Sequence, residues 1–191
     1  MKLIRVYPDS SIFIEPHRKA VGKTRLTIVC HGYKHALGVP RIKIDDRFYG
    51  PQQIAQFIPA WTLITRLYSV RLLACDTASS DPDNKNNQHG EWREAQSNDD
   101  RTSSFGSQLS SYLKNIYIRA YDGRLFTSCP DESMWNHYMM GGEKAFTDVF
   151  IRDFQIDKNE ADYHSVVFFN GNIVKERYSI QPLSCLGLVR E

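Results

Sequence analysis

No run of 18 or more apolar residues occurs in the sequence, which excludes a helix that crosses a bilayer. An excess of charge of either sign is equally missing. With 24 Lys and Arg against 22 Asp and Glu, a net charge of +2 provides no electrostatic drive towards nucleic acid or an anionic membrane. Cysteine is scarce and scattered: Cys30, Cys75, Cys129 and Cys185 form no C-x-x-C pair. Neither a zinc knuckle nor a disulfide scaffold is expected from such spacing, and nothing calls for a metal or another cofactor. A classical leader is not expected either, because the apolar start at Leu3-Ile4 is broken by Arg5. The expectation is a protein made in a cytosol with its thiols reduced, which leaves the cell only by a route that needs no signal peptide.

What the chain does contain is a core. Its 191 residues are 41% hydrophobic and 12% aromatic, enough for one compact α/β domain over 1–191 and too short for two. Short β-rich runs at 3–7 and 11–15 read as an edge hairpin around Pro8-Asp9. The run Arg25-Leu26-Thr27-Ile28-Val29-Cys30 is nearly continuous in apolar and β-branched residues, as in a strand covered on both faces. Residues 33–50 carry Gly38, Pro40, Asp45, Asp46 and Gly50 and read mostly as loop. Pro51 suits the first position of a helix to about residue 58. Val70-Arg71-Leu72-Leu73-Ala74-Cys75 is a second buried-type strand, broken by Asp76-Thr77. Residues 81–101 are almost wholly polar and read as a long mobile loop. A helix over 104–113, a strand over 116–121, a helix over 145–154 and a hairpin at Asn170-Gly171 complete the pattern.

The order strand, helix, strand, helix, strand predicts right-handed β-α-β units in a mostly parallel sheet with a C-terminal hairpin. Ligands in such sheets bind beyond the carboxyl ends of the strands. His31 lies just past one buried-type strand and Cys75 ends the next, so both are expected at one sheet edge. A thiol attacks a carbonyl as thiolate, and a neighbouring imidazole takes its proton and later returns one to the leaving amine. Gly32 leaves room for a backbone N–H to approach a substrate, and the Cys75 N–H is a second donor for an oxyanion.

The two blocks Leu26-Thr27-Ile28-Val29-Cys30-His31-Gly32 and Val70-Arg71-Leu72-Leu73-Ala74-Cys75 resemble those of caspase-like cysteine peptidases, the clan that includes caspases, legumain, gingipain, clostripain and the self-cleaving domains of bacterial toxins. His31 precedes Cys75 by 44 residues, against about 50 in caspases. Ser104-Phe105-Gly106-Ser107-Gln108-Leu109 and Ile116-Tyr117-Ile118-Arg119-Ala120-Tyr121-Asp122-Gly123 are similar to the helix and strand that follow the cysteine in bacterial members. The likeness covers roughly residues 25–124. It implies a three-layer α/β/α sandwich of caspase-like topology, a Cys75–His31 dyad acting on a polypeptide without a cofactor, and a bacterial secreted or injected effector or toxin component. Asp76-Thr77-Ala78 stands where caspases have Arg-Gly, so a caspase preference for aspartate does not carry over. Asp45, Asp46, Asp76 and Asp122 are acidic candidates for the pocket that reads the residue before the scissile bond, which would favour a basic residue there.

Other readings of the same residues stay open: deamidation or acyl transfer on the same dyad, or a catalytically inactive binding module. Cys30 should point away from His31 into the core. Cys129 with His137 is a second Cys–His pair without strand context, His35 sits in a loop, and Cys185 reads as packing. His89, Asp83 and Glu91 match no metal-ligand spacing. Nothing in the pattern specifies an oligomeric state.

Overall fold

The computed structural model describes residues 1–34, 40–79, 101–123, 125–127, 131–153, 156–157 and 163–178. The strands are β1 (Lys2–Tyr7), β2 (Ser10–Pro16), β3 (Thr24–Val29), β4 (His31–Lys34), β5 (Pro40–Ile44), β6 (Arg47–Tyr49), β7 (Leu67–Leu73), β8 (Tyr117–Gly123), β9 (Phe126–Thr127), β10 (Ile156–Asp157), β11 (Tyr163–Phe169) and β12 (Asn172–Tyr178). The helices are α1 (Pro51–Trp61), α2 (Phe105–Tyr112) and α3 (Asp131–Asp153), the last kinked at Gly142, whose φ is 65°.

The main sheet is mixed and has seven strands in the order β1-β2-β3-β7-β8-β11-β12. Its centre is parallel: β3 pairs with β7 and β7 with β8, the crossovers containing α1 and α2. Its flanks are antiparallel, as β1 pairs with β2, β2 with β3, β8 with β11 and β11 with β12. The expected mostly parallel sheet is therefore corrected to a mostly antiparallel one around a parallel centre. For three of the four antiparallel pairs, β1–β2, β2–β3 and β11–β12, the reason is connection length. Two-residue turns at Pro8-Asp9 and Asn170-Gly171 and the short link from Pro16 to Thr24 leave no room for the crossover that parallel pairing requires. The positive φ values of Asn170 (50°) and Gly171 (87°) are those of the type I′ turn expected there.

A second correction concerns residues 33–50. They build a separate antiparallel sheet, β4-β5-β6, with His31 opposite Lys43 and Lys43 opposite Phe48. The alternation Arg41-Ile42-Lys43-Ile44 is a strand pattern that the surrounding Gly and Pro obscured. Asp45 and Asp46, at φ 52° and 60°, are its two-residue turn. The Asp9 carboxylate accepts their backbone N–H groups at 2.9 and 3.0 Å, tying this sheet to the β1–β2 turn.

Two buried clusters sit on the two sides of the main sheet. One joins Ile12, Leu26, Ile28, Val70, Leu72 and Ile118 to Ile54 and Ile58 of α1 and Phe105 and Leu109 of α2. The other joins Phe13, Val29, Leu73 and Tyr121 to Met134, Phe146, Val149 and Phe150 of α3. The strands alternate between the two as their pleat requires, which is why β3 and β7 read as unbroken apolar runs. The start of α2 is capped by Ser104, whose hydroxyl accepts the Ser107 N–H at 3.2 Å.

Near the amino ends of the parallel strands, polar groups cross the sheet. Glu15 accepts from Arg25 (2.9 Å), Thr27 (2.9 Å) and Arg71 (3.1 Å). Burial pushes the Glu15 carboxyl up, but the Arg25 hydrogen bond, the charges of Arg71 and Arg25 and the Thr27 hydroxyl outweigh it and hold the group below its ordinary 4.5. Because the folded value is depressed, this stabilisation is complete above 4.5 and is lost as pH falls through the folded value. Denaturant melts of the wild type between pH 6 and about 2.5 are expected to show a steeper acid loss than those of Glu15→Gln.

Candidate active site

The last paired residues of β3 and β7 are Val29 and Leu73. One more backbone bond follows, from the Cys30 N–H to the Leu73 carbonyl at 3.2 Å. Cys30 and Ala74 then point into the α1/α2 cluster, so Cys30 is a core residue, as expected. One residue further along each segment stand His31 and Cys75. Cys75 lies in the turn that follows β7, and His31 opens β4, on the face of that sheet opposite to Ile42 and Ile44. His31 is exposed and Cys75 half-buried.

Gly32 draws the two segments together. A Cβ placed on it would lie 1.8 Å from the Cys75 carbonyl oxygen, 2.8 Å from its carbon and 3.1 Å from its nitrogen. No side chain fits in that space. The backbone at residue 32 therefore rests directly on the backbone of Cys75, a contact that only glycine allows.

The Cys75 backbone is held from the other side by a buried turn. Asp76 has a positive φ of 53°. The Thr77 hydroxyl donates to the Ala74 carbonyl (3.1 Å) and accepts the Tyr121 N–H (3.1 Å). The Ala78 N–H donates to the Tyr121 carbonyl (2.8 Å), and the Gly106 N–H of α2 donates to the Thr77 carbonyl (2.8 Å). The turn after the cysteine is thus fastened both to β8 and to α2. The sulfur itself meets the backbone of Leu125: its N–H donates to Sγ at 3.3 Å, and the thiol lies 3.8 Å from its carbonyl oxygen. An N–H aimed at sulfur is complementary to a thiolate.

The four acidic candidates are not gathered in one place. Asp45 and Asp46 form the β5–β6 turn, and Asp46 is ion-paired with Lys43. Asp76 follows Cys75 directly, in the turn. Asp122 is committed to Arg101: the guanidinium of this almost wholly buried arginine donates to Asp122 Oδ2 at 2.9 Å and to the Ala78 carbonyl at 3.0 Å. Asp122 is one residue from Tyr121 on β8 and so faces the other side of the sheet from the Tyr121 side chain. It braces the post-cysteine turn. Asp9, which sequence reasoning passed over, has the stronger carboxylate environment. Burial raises it, but the Asp46 N–H, the Ser10 hydroxyl, the Asp45 N–H and the Lys43 ammonium together hold it below the ordinary range.

Thr77, Leu125 and Arg101 were also not singled out from the sequence. Thr77 had one signal, its place directly after a strand-ending cysteine. Leu125 and Arg101 had none, since their roles rest on backbone atoms and partners far along the chain. His137 is exposed on α3, and Cys129, Cys185, His35, Asp83, His89 and Glu91 lie outside the described residues. Among the described residues, no group of three or more His, Cys, Asp or Glu is arranged to hold a metal ion.

Compared with protein-family models, with curated proteins and with solved structures, the chain finds no match in any of the three.

Two substitutions test this geometry. Gly32→Ala forces the strand ends apart and is expected to cost about 1–3 kcal/mol in denaturant unfolding, together with slower alkylation of Cys75. Arg101→Met leaves the partly buried Asp122 carboxylate without its cation and is expected to cost about 1–3 kcal/mol. Adding Asp122→Asn should recover part of that loss, and a double-mutant cycle reads the coupling directly.

Proposed function

We propose that this chain is a cysteine peptidase of the caspase-like kind, with Cys75 as nucleophile and His31 as general acid–base. The observation that carries the proposal is the contact of the Gly32 backbone with the Cys75 backbone at the ends of two paired parallel strands. The finer fold assignment, a three-layer α/β/α sandwich of caspase-like topology, belongs to the same reading. It is supported by α1 and α2 packing into one cluster and α3 into the other.

In this scheme His31 takes the Sγ proton and the thiolate attacks the substrate carbonyl carbon. The carbonyl electron pair moves to oxygen, and the Gly32 and Cys75 N–H groups donate hydrogen bonds to the oxyanion so formed. As the tetrahedral intermediate collapses, the C–N bond breaks and the imidazolium returns its proton to the departing amine. The thioester that remains is hydrolysed when His31 takes a proton from a water whose oxygen attacks the acyl carbon; the C–S bond then breaks, the carboxylic acid departs and the imidazolium returns the proton to sulfur. The Leu125 N–H supports charge on sulfur in the resting and final states. Of the acidic residues proposed to select a basic side chain before the scissile bond, Asp76 is the best supported, being adjacent to the proposed nucleophile. A bacterial effector or toxin component is the setting this reading suggests.

Incubation with a peptide library, read by mass spectrometry, tests the proposal. Wild type is expected to cleave backbone amides, with Cys75→Ala and His31→Ala each reduced by at least about 10³-fold. Equal product from Cys75→Ala, or no product from any of the three, overturns it. Hydrolysis of side-chain amides alone would transfer the same dyad to deamidation.

A further inference from the structure

The β4-β5-β6 sheet has an inner and an outer face. Ile42 and Ile44 point inward into the buried core, with Tyr49 packed against it. The pleat places the alternate residues on the outer face, and directly opposed residues of antiparallel strands share a face. His31 opposes Lys43, Lys43 opposes Phe48, and Tyr33 opposes Arg41. One outward face therefore carries His31, Tyr33, Arg41, Lys43 and Phe48.

Two features of this face call for a ligand. Tyr33 and Phe48 are each 45% exposed and belong to neither buried cluster, yet they are fixed against each other edge-to-face with ring centroids 4.9 Å apart. Paired, exposed and pre-positioned rings of this kind are anchors for a partner's apolar side chain. The charges on the same face are one-sided. The Lys43 ammonium is engaged by Asp46 and Asp9. Arg41, exposed, forms no ion pair or hydrogen bond among the described residues.

We infer that the outer face of this small sheet is a substrate-recognition surface for an extended polypeptide that presents a large apolar side chain to Tyr33 and Phe48 and a carboxylate to Arg41. Its continuity with the candidate dyad identifies the occupant: Tyr33 lies two residues beyond His31 on the same strand face, about 7 Å along it. A chain seated on the ring pair is led to the imidazole. In an extended peptide, residues two apart face the same way, so the apolar and acidic side chains are expected within two residues of each other. The word substrate rests on the peptidase reading; the surface and its chemistry do not.

The test separates the two. Binding of labelled peptides to the non-cleaving Cys75→Ala protein is measured by fluorescence anisotropy, with apolar–acidic, apolar–basic and polar–acidic sequences compared. The apolar–acidic peptide is expected to bind tightest. Phe48→Ala and Tyr33→Ala each weaken it at least about tenfold; Arg41→Glu shifts preference to the apolar–basic peptide, and Arg41→Lys retains the original preference. All these side chains are exposed, so the variants are expected to fold. Peptide affinities that ignore sequence, or that none of these changes moves, overturn the inference. The same peptides are then offered to the protein with Cys75 intact. Selective binding without cleavage supports the recognition surface and defeats the peptidase reading. Cleavage insensitive to Phe48 and Arg41 leaves the peptidase reading standing and defeats this inference.

Discussion

The candidate site depends on one close approach, the glycine backbone at residue 32 lying on the backbone of Cys75. Everything that brings the histidine segment beside the cysteine segment passes through it. Parallel pairing of Val29 with Leu73 aligns the two strand ends, and the missing side chain at Gly32 lets the emerging chains touch. Any other residue there would drive a methyl group into a carbonyl oxygen. The separation of the strands, and with it the reach between residues 31 and 75, is thus set by van der Waals contact and not by a mobile loop.

That contact is useful only because the cysteine side of it is rigid. The turn from Ala74 to Ser79 is irregular, and irregular buried backbone must find hydrogen-bond partners or lose stability. Here the partners come from two elements, α2 and β8, that both follow the turn in the chain. Thr77 exchanges bonds with Tyr121 and Ala74, Ala78 binds β8, and the first turn of α2 donates to Thr77. Arg101, bonded to both Ala78 and Asp122, closes the other end. A polar network of this kind stiffens the backbone of Cys75, which the proposed oxyanion site would require. The small sheet adds a different kind of order. It is pinned by Asp9 through two backbone N–H groups, so its outward aromatic pair is held in place beside His31.

The parts of this arrangement differed in how readily they could be read from residues alone. The apolar runs ending at Cys30 and at Ala74 announced two buried strands, and the helices between them made parallel pairing the natural expectation. The hairpin at Asn170-Gly171 followed from turn chemistry. The same turn chemistry misled at residues 33–50, where Gly and Pro masked the short alternation of Arg41-Ile42-Lys43-Ile44. The balance of parallel to antiparallel pairing was misjudged because it depends on the flanking hairpins, not on the central motif. Asp122 looked like a free acid at a strand end, and its pairing with Arg101 could not be seen across the helix and strand that separate the two in the chain.

By itself, then, the sequence determined which backbones are buried, where the strands stop and which reactive residues stand at their ends, because hydrophobic period and turn residues act locally. Only the tertiary structure decided which of those ends meet, which carboxylates are already paired, and which faces of the small sheet look inward. Those outcomes come from register, close approach and long-range hydrogen bonds between segments tens of residues apart, and no local pattern encodes them.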